Sequence, residues 1–124
     1  FCVSVMAANI AVNAARAEAA LLRFGRGAAE ELLRSPSEDG TLCRPRRPFD
    51  VVVASDVVYG RTASDLDDLF ATADVLLADI PGAAFFHGYT DRRPELTAAL
   101  LEAAGRHGFE CAELVQLWQP EQAE

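Results

Sequence analysis

A carboxylate and a phenol stand three residues apart in the segment SDVVY, residues 55–59, directly after the apolar run FDVVVA. The carboxylate of Asp56 can attract a cationic amine by charge, and the ring of Tyr59 can attract it through its electron-rich face. The pair is therefore a candidate amine site. The same two residues also suit a structural role, in which Asp56 caps the next helix and Tyr59 covers an edge, and their spacing alone does not choose between these interpretations.

Two glycines followed by a helical segment, FGRGAAE, partly match the dinucleotide-binding pattern G-x-G-x-x-G. After Gly25 and Gly27, however, Glu30 occupies the third glycine position and puts negative charge where a pyrophosphate would bind. A turn between a strand and a helix also explains both glycines. A nucleotide-binding protein of another kind is an alternative that depends on these two residues alone.

Nucleophile and metal patterns are weaker still. The segment ASDVV lacks the flanking glycines of a nucleophile elbow, so Ser55 is expected to be a turn residue rather than a nucleophile. His87 lies in an apolar segment and His107 near a predicted helix end, and neither has a Cys or an acid at ligand spacing. We expect satisfied core or capping histidines and no metal site.

The composition sets the class of protein. With 124 residues, 51% of them hydrophobic, the chain has the size and the apolar content of one modest globular domain. A net charge of -8 argues against nucleic acid as a partner, because a phosphate backbone requires a surplus of Lys and Arg. The absence of a long apolar run and of a basic leader argues against a membrane span or a signal peptide, and three scattered cysteines give no disulfide framework. We expect a soluble, cytoplasmic chain.

Periodicity predicts an alternation of helices and strands. The predicted elements are a helix over 4–20, a short strand ending at Gly25, a short helix at AAEELL, a strand at FDVVVAS, a helix over 64–78, a strand at AAFFHGY, a helix from Pro94 to Gly108 and a strand at FECAELVQLW. Residues 35–48, rich in Pro, Ser and charge, are predicted to form an exposed loop or insertion.

The run FDVVVAS has no polar alternation, which is typical of a parallel strand covered on both faces. Alternating strands and helices with short connections predict a Rossmann-like α/β architecture, a parallel or mixed sheet with helices on both faces. Ligands of such sheets bind beyond the carboxyl ends of the strands. Four residues fall just past predicted strand ends: Asp56, Tyr59, Tyr89 and Asp91.

Five segments, NIAVN, LLRFG, FDVVVASDVVYG, FFHGYTDRR and GFECAELV, together resemble successive landmarks of the seven-β-strand, S-adenosylmethionine-dependent methyltransferases. Within them the resemblance is to the lysine-methyltransferase-like group, methyltransferase family 16, and it covers most of the chain. SDVVY is its most specific part. The matching positions are Asn9, Asn13, 22–25, Asp56 with Tyr59, and Tyr89 with Arg92 or Arg93.

The resemblance implies a class I methyltransferase fold, a three-layer sandwich with a mostly parallel sheet, and S-adenosylmethionine as cofactor. It implies that Asp56 orients a lysine ammonium of a protein substrate, while Tyr59 and Tyr89 line the acceptor channel. On the cofactor side, it implies that Phe24 flanks the adenine, with Gly25 and Ser55 nearby.

The sequence departs from the family pattern in two ways. Phe24 replaces the Trp of the third-strand element, and nothing resembles the glycine-rich loop after the first strand or the acidic residue that holds the ribose. Both are expected upstream of Phe1, so residues 1–124 resemble the C-terminal, acceptor-side portion of an incomplete methyltransferase domain. In the family strand order 3-2-1-4-5-7-6, the segment ALLRF then has no neighbouring strand with which to pair.

Two hypotheses about function follow. In the first, the complete protein is a protein-lysine N-methyltransferase and this chain supplies its acceptor side. In the second, the chain is a non-catalytic remnant or a protein-interaction module that cannot bind S-adenosylmethionine alone.

Overall fold

The computed structural model describes residues 2–35, 48–58, 63–90 and 95–112. This part of the chain is mixed α/β, as the sequence predicted. Its elements are α1 (Cys2–Val12), α2 (Arg26–Arg34), β1 (Val51–Ser55), α3 (Ala63–Leu76), β2 (Ala84–Gly88) and α4 (Leu96–Arg106).

The two strands are parallel neighbours, which confirms the predicted crossover through the helix between them. Their register runs from Val51 beside Ala84 to Ser55 beside Gly88. At the start of β1, the N–H of Phe49 donates to the carbonyl of Leu76 at 2.7 Å. The end of α3 therefore lies beside the start of β1, and α3 runs antiparallel to the strand.

The core lies between α3, α4 and one face of the sheet. Leu66 and Phe70 recur at helical spacing on α3 and pack against Leu100 and two alanines of α4. The ring of Phe70 meets that of Phe85 on β2 edge-on, with centroids 5.9 Å apart. Phe109, just after α4, closes the same cluster with its ring 5.6 Å from Phe70. These contacts define the covered sheet face.

The opposite face of the sheet is open. Val51 and Val53 of β1 are 51% and 71% exposed, and Phe86 of β2, the register partner of Val53, is 42% exposed. These three residues form what we call the open sheet face. The prediction of a strand covered on both faces was wrong for β1 in this structure. An unbroken apolar run indicates only that a strand is hydrophobic and does not determine what packs against it.

The first part of the chain also differs from its prediction. The helix predicted over 4–20 ends at Val12, where Ala14 adopts a left-handed backbone with φ of 49°, and α1 buries none of its residues. The short strand predicted to end at Gly25 is absent from residues 17–25, which have no ladder partner among the described residues.

The last part of the chain is described as far as Ala112. Gly108, with φ of 81°, follows α4 as a helix-ending glycine, in agreement with the prediction. Residues 109–112 form no strand, and the remainder of the predicted strand FECAELVQLW lies outside the described residues, as does most of the predicted loop over 35–48. The described helices are all too short or too polar to cross a bilayer. Cys2 and Cys111 are exposed free thiols.

Candidate functional site

The carboxyl ends of β1 and β2 meet at one edge of the sheet. Beyond the last residue of β1, the N–H of Asp56 donates to the carbonyl of Gly88 at 2.8 Å. Ser55 lies beside Gly88 in the register, and its Oγ is 3.7 Å from where a Cβ on Gly88 would stand. Since Tyr89 follows Gly88 directly, three of the predicted site residues, Ser55, Asp56 and Tyr89, lie at this edge. We call them the rim residues.

Asp56 marks the point at which the chain leaves the sheet. Its φ is 52°, in the left-handed region that Asp and Asn enter more readily than other residues with a side chain. That conformation costs on the order of 1 kcal/mol. The turn ends β1 and leaves the Asp56 side chain exposed at the rim. An exposed carboxylate in this position can pair with a cation that approaches from solvent.

Tyr89 is held from two sides. Its hydroxyl shares a hydrogen bond of 2.8 Å with Oγ1 of Thr97 on α4. Its ring stacks on that of His87, with centroids 5.3 Å apart and planes 19° from parallel. A ring fixed at both its edge and its face offers a preformed surface for a cationic group.

His87 occupies the covered sheet face between Phe85 and Tyr89. Its ring lies 5.8 Å from that of Phe85 and 23° from parallel. Its Nε2 is buried and finds no hydrogen-bond partner in the described part of the chain, and burial lowers the pKa of the imidazole. The sequence predicted a satisfied core or capping histidine. The ring is only partly buried, and the prediction that it is satisfied was wrong at this nitrogen.

His107 caps the end of α4, as predicted. Its N–H donates to carbonyls of the last turn, and its Nε2 lies 3.2 Å from Oδ1 of Asp67 on α3. Arg106 donates to the same oxygen, and its guanidinium is the main cause of a lowered pKa at Asp67. Sequence reasoning missed this cluster, because the residues that form it are about forty positions apart.

Of the other two predicted cofactor residues, Gly25 lies against a different part of the molecule and Phe24, the residue before it, is 45% exposed. The N–H of Gly25 donates to Oγ1 of the buried Thr72 at 2.7 Å, and the next residue, Arg26, pairs with Asp74 at 2.9 Å. Thr72 and Asp74 belong to the last third of α3, which runs toward the start of β1. No hydrogen bond or ring contact among the described residues joins Phe24 or Gly25 to the rim residues.

The remaining predicted positions add little to the rim. Asn13 donates from its side chain to the carbonyl of Asn9 at 2.8 Å, a bond that closes the end of α1. Tyr59, Asp91, Arg92 and Arg93 lie outside the described residues. Across the described ranges, no three His, Cys, Asp or Glu side chains are grouped as metal ligands would be.

Comparisons with protein-family models, with curated proteins and with solved structures found no match to this chain.

Proposed function

We propose that this chain is the acceptor side of an S-adenosylmethionine-dependent protein-lysine N-methyltransferase. The observation that carries the proposal is the hydrogen bond between Asp56 and Gly88, which puts an exposed carboxylate and the Tyr89 ring at the same edge of a parallel sheet. Open α/β sheets bind their ligands at this edge. The resemblance of SDVVY to the acceptor motif of the lysine-methyltransferase-like group adds the reaction.

The roles of the rim residues follow from their chemistry. The Asp56 carboxylate orients the lysine side chain by pairing with its ammonium, which loses its proton to solvent before attack. The face of the Tyr89 ring attracts the cationic group to the rim. We assign the same role to Tyr59 from the resemblance. Orientation is the main requirement, because methyl transfer is an in-line displacement that depends on a correctly aligned neutral amine.

S-adenosylmethionine, when bound, supplies the sulfonium methyl group. The described residues do not form a site for it by themselves. The N–H of Gly25 is already bonded to Thr72 in the last third of α3, while Ser55 lies at the rim. We therefore assign cofactor binding in the complete domain mainly to residues other than those described.

A second candidate function is a non-catalytic interaction module. The open sheet face favours it, because three large apolar side chains remain exposed on neighbouring strands, and such patches mark surfaces that bind other proteins. In this alternative the rim residues have structural roles only.

Methyl transfer by the longest in-frame extension of this chain distinguishes the two candidates. We expect radiolabelled methyl groups from S-adenosylmethionine to appear in protein acceptors as methyl-lysine after hydrolysis. Asp56→Asn keeps the shape of the side chain and removes its charge, and should lower kcat/KM about tenfold or more, the loss expected when a charged contact to substrate is removed.

The matched control is Asp50→Asn, which removes a carboxylate just before the opposite end of β1. Calorimetry with S-adenosylmethionine on both the chain and its extension completes the test. Equal activity of the two variants contradicts the role of Asp56. Failure of the extension to bind cofactor or to transfer methyl groups favours the interaction module.

A further inference from the structure

Three aromatic rings form a continuous row along β2. Phe85 and His87 occupy alternate positions of β2 and therefore lie on the same face of the strand. Tyr89, just past the end of β2, continues the row by stacking on His87. Neighbouring rings are 5.8 Å and 5.3 Å apart and are within 23° and 19° of parallel. His87 is the middle ring of this aromatic row.

The two ends of the aromatic row are fixed in different ways. Phe85 is held in the core, edge-on to Phe70 and 6.2 Å from the ring of Phe109. Tyr89 is held by its hydrogen bond to Thr97. The ring of His87 therefore connects the core to Tyr89, because it stacks on Phe85 on one side and on Tyr89 on the other.

The surroundings of His87 favour the neutral form of its imidazole. With a proton on Nδ1 alone, the buried Nε2 is an acceptor without a partner in the described ranges; a second proton converts it into a charged N–H donor, still without a partner. Unpaired buried charges are more costly than unpaired neutral acceptors. Attraction of the imidazolium to the flanking ring faces opposes this effect. Burial lowers the pKa of His87, which favours the neutral ring beside Tyr89.

Charged groups on the elements around the row do not supply the missing partner. The end of β1 carries Asp56, which is exposed at the rim. The carboxylate Oδ1 of Asp67 on α3 is already bonded to Arg106 and His107. The other charged and titratable groups that the structure describes on or beside these elements are Asp50, Asp65, Asp68, Asp74, Asp79, Glu95, Glu102, Glu110, Cys111 and the phenol of Tyr89. None of them bonds to Nε2 of His87.

We propose that His87 is a pH-sensitive positioning residue, which holds the ring of Tyr89 in place at the rim while it is neutral and releases that ring when it is protonated. The proposal concerns the geometry of Tyr89 and does not depend on methyl transfer. It makes the shape of the rim sensitive to acid, with the stacked form populated at neutral pH and the released form increasing below the ordinary pKa of histidine.

Side-chain NMR of the chain with ¹³C-labelled His and Tyr tests this directly. Tyr89→Phe and His107→Gln assign the resonances. We expect His87 to titrate with a midpoint below 6.5, its ordinary value. The ring signals of Tyr89 should change with the same midpoint, and the proton contacts between the two rings should disappear in parallel. In the matched control, His107→Gln, the His87 midpoint and the coupled change in the Tyr89 signals should be unchanged.

The non-titrating variant His87→Phe should keep Tyr89 in one environment from about pH 4 to pH 8, across the range in which histidine titrates. The proposal is overturned by a Tyr89 ring that stays stacked while His87 titrates, by a His87 midpoint at or above 6.5, or by a Tyr89 transition that persists in His87→Phe. If His87→Phe does not fold, the ring-to-ring proton contacts in the unmodified chain decide, since they must vanish with the His87 midpoint.

Discussion

Arg106 at the end of α4 contacts Oδ1 of Asp67 on α3 with two nitrogens, Nη2 at 3.0 Å and Nε at 3.2 Å. His107 adds its Nε2 at 3.2 Å from the same oxygen. The three side chains lie at the edge of the core, so they join the two helices by polar contacts where the apolar packing ends. A single carboxylate oxygen of α3 thus contacts two consecutive side chains at the C-terminal end of α4.

Asp67→Asn should reduce stability slightly at neutral pH, because the exposed ion pairs that it removes are screened by solvent. The pH dependence of this stability difference is more informative than its size at neutral pH. The pKa of Asp67 is lowered in the folded chain from its ordinary 3.8, so its stabilising effect is complete above that value and is lost as the pH falls through the folded pKa. Thermal unfolding from neutral to acidic pH should show the difference between variant and parent narrowing in acid.

Asp68→Asn is the matched control for that experiment, since it removes the same charge from the next position of α3. Its carbonyl accepts from Thr72, a contact that the substitution leaves in place. If both variants showed the same pH dependence, the effect would belong to net charge and not to the contact with Arg106.

Two adjacent leucines of α4 give a test of where the core lies. Leu100 is 4% exposed and Leu101 is 53% exposed. Leu100→Ala should lower the free energy of unfolding by about 2–5 kcal/mol through lost burial and the cavity that remains. Leu101→Ala should change it by no more than about 0.5 kcal/mol, as for other surface positions. Chemical denaturation followed by circular dichroism measures both, and similar losses for the two variants would contradict the orientation of α4.

Thr72 ties the start of α2 to α3. Its hydroxyl accepts from the N–H of Gly25 and donates to the carbonyl of Asp68, each at 2.7 Å. Thr72→Val keeps the shape but leaves the Gly25 N–H unpaired, which should cost about 1–3 kcal/mol of unfolding free energy. Hydrogen exchange at Gly25 gives a local measurement: exchange should accelerate in Thr72→Val and stay slow in Thr72→Ser, which keeps the hydroxyl. Unchanged exchange in Thr72→Val would show that the bond does not form in solution.

The strands and the helix between them could be predicted from the sequence because their signals are local. The β-branched run at Val51 and the helical spacing of Leu66 and Phe70 each identify an element without knowledge of its neighbours. The parallel pairing follows from chain connectivity. The meeting of Asp56 and Tyr89 at one rim then follows from the two strands ending together.

Other features depend on contacts that no local pattern records. The exposure of Val53 depends on what covers β1, and the bond between Gly25 and Thr72 joins positions 47 residues apart. The end of α1 at Val12 also depends on tertiary contacts. Residues that favour helix continue to Ala20, but helix propensity alone gives little stability without packing. Because α1 buries none of its residues, no packing stabilises a longer helix.

The open sheet face coexists with a net charge of -8 on a small chain. At low ionic strength the electrostatic repulsion between copies extends over distances larger than the reach of an apolar contact, about 30 Å at 0.01 M, and it shortens to about 3 Å at 1 M. Added salt therefore removes the barrier that keeps Val51, Val53 and Phe86 of one molecule away from those of another. Ionic strength acts on this chain in two opposite directions, since it weakens the ion pairs within a molecule while it promotes adhesion between molecules.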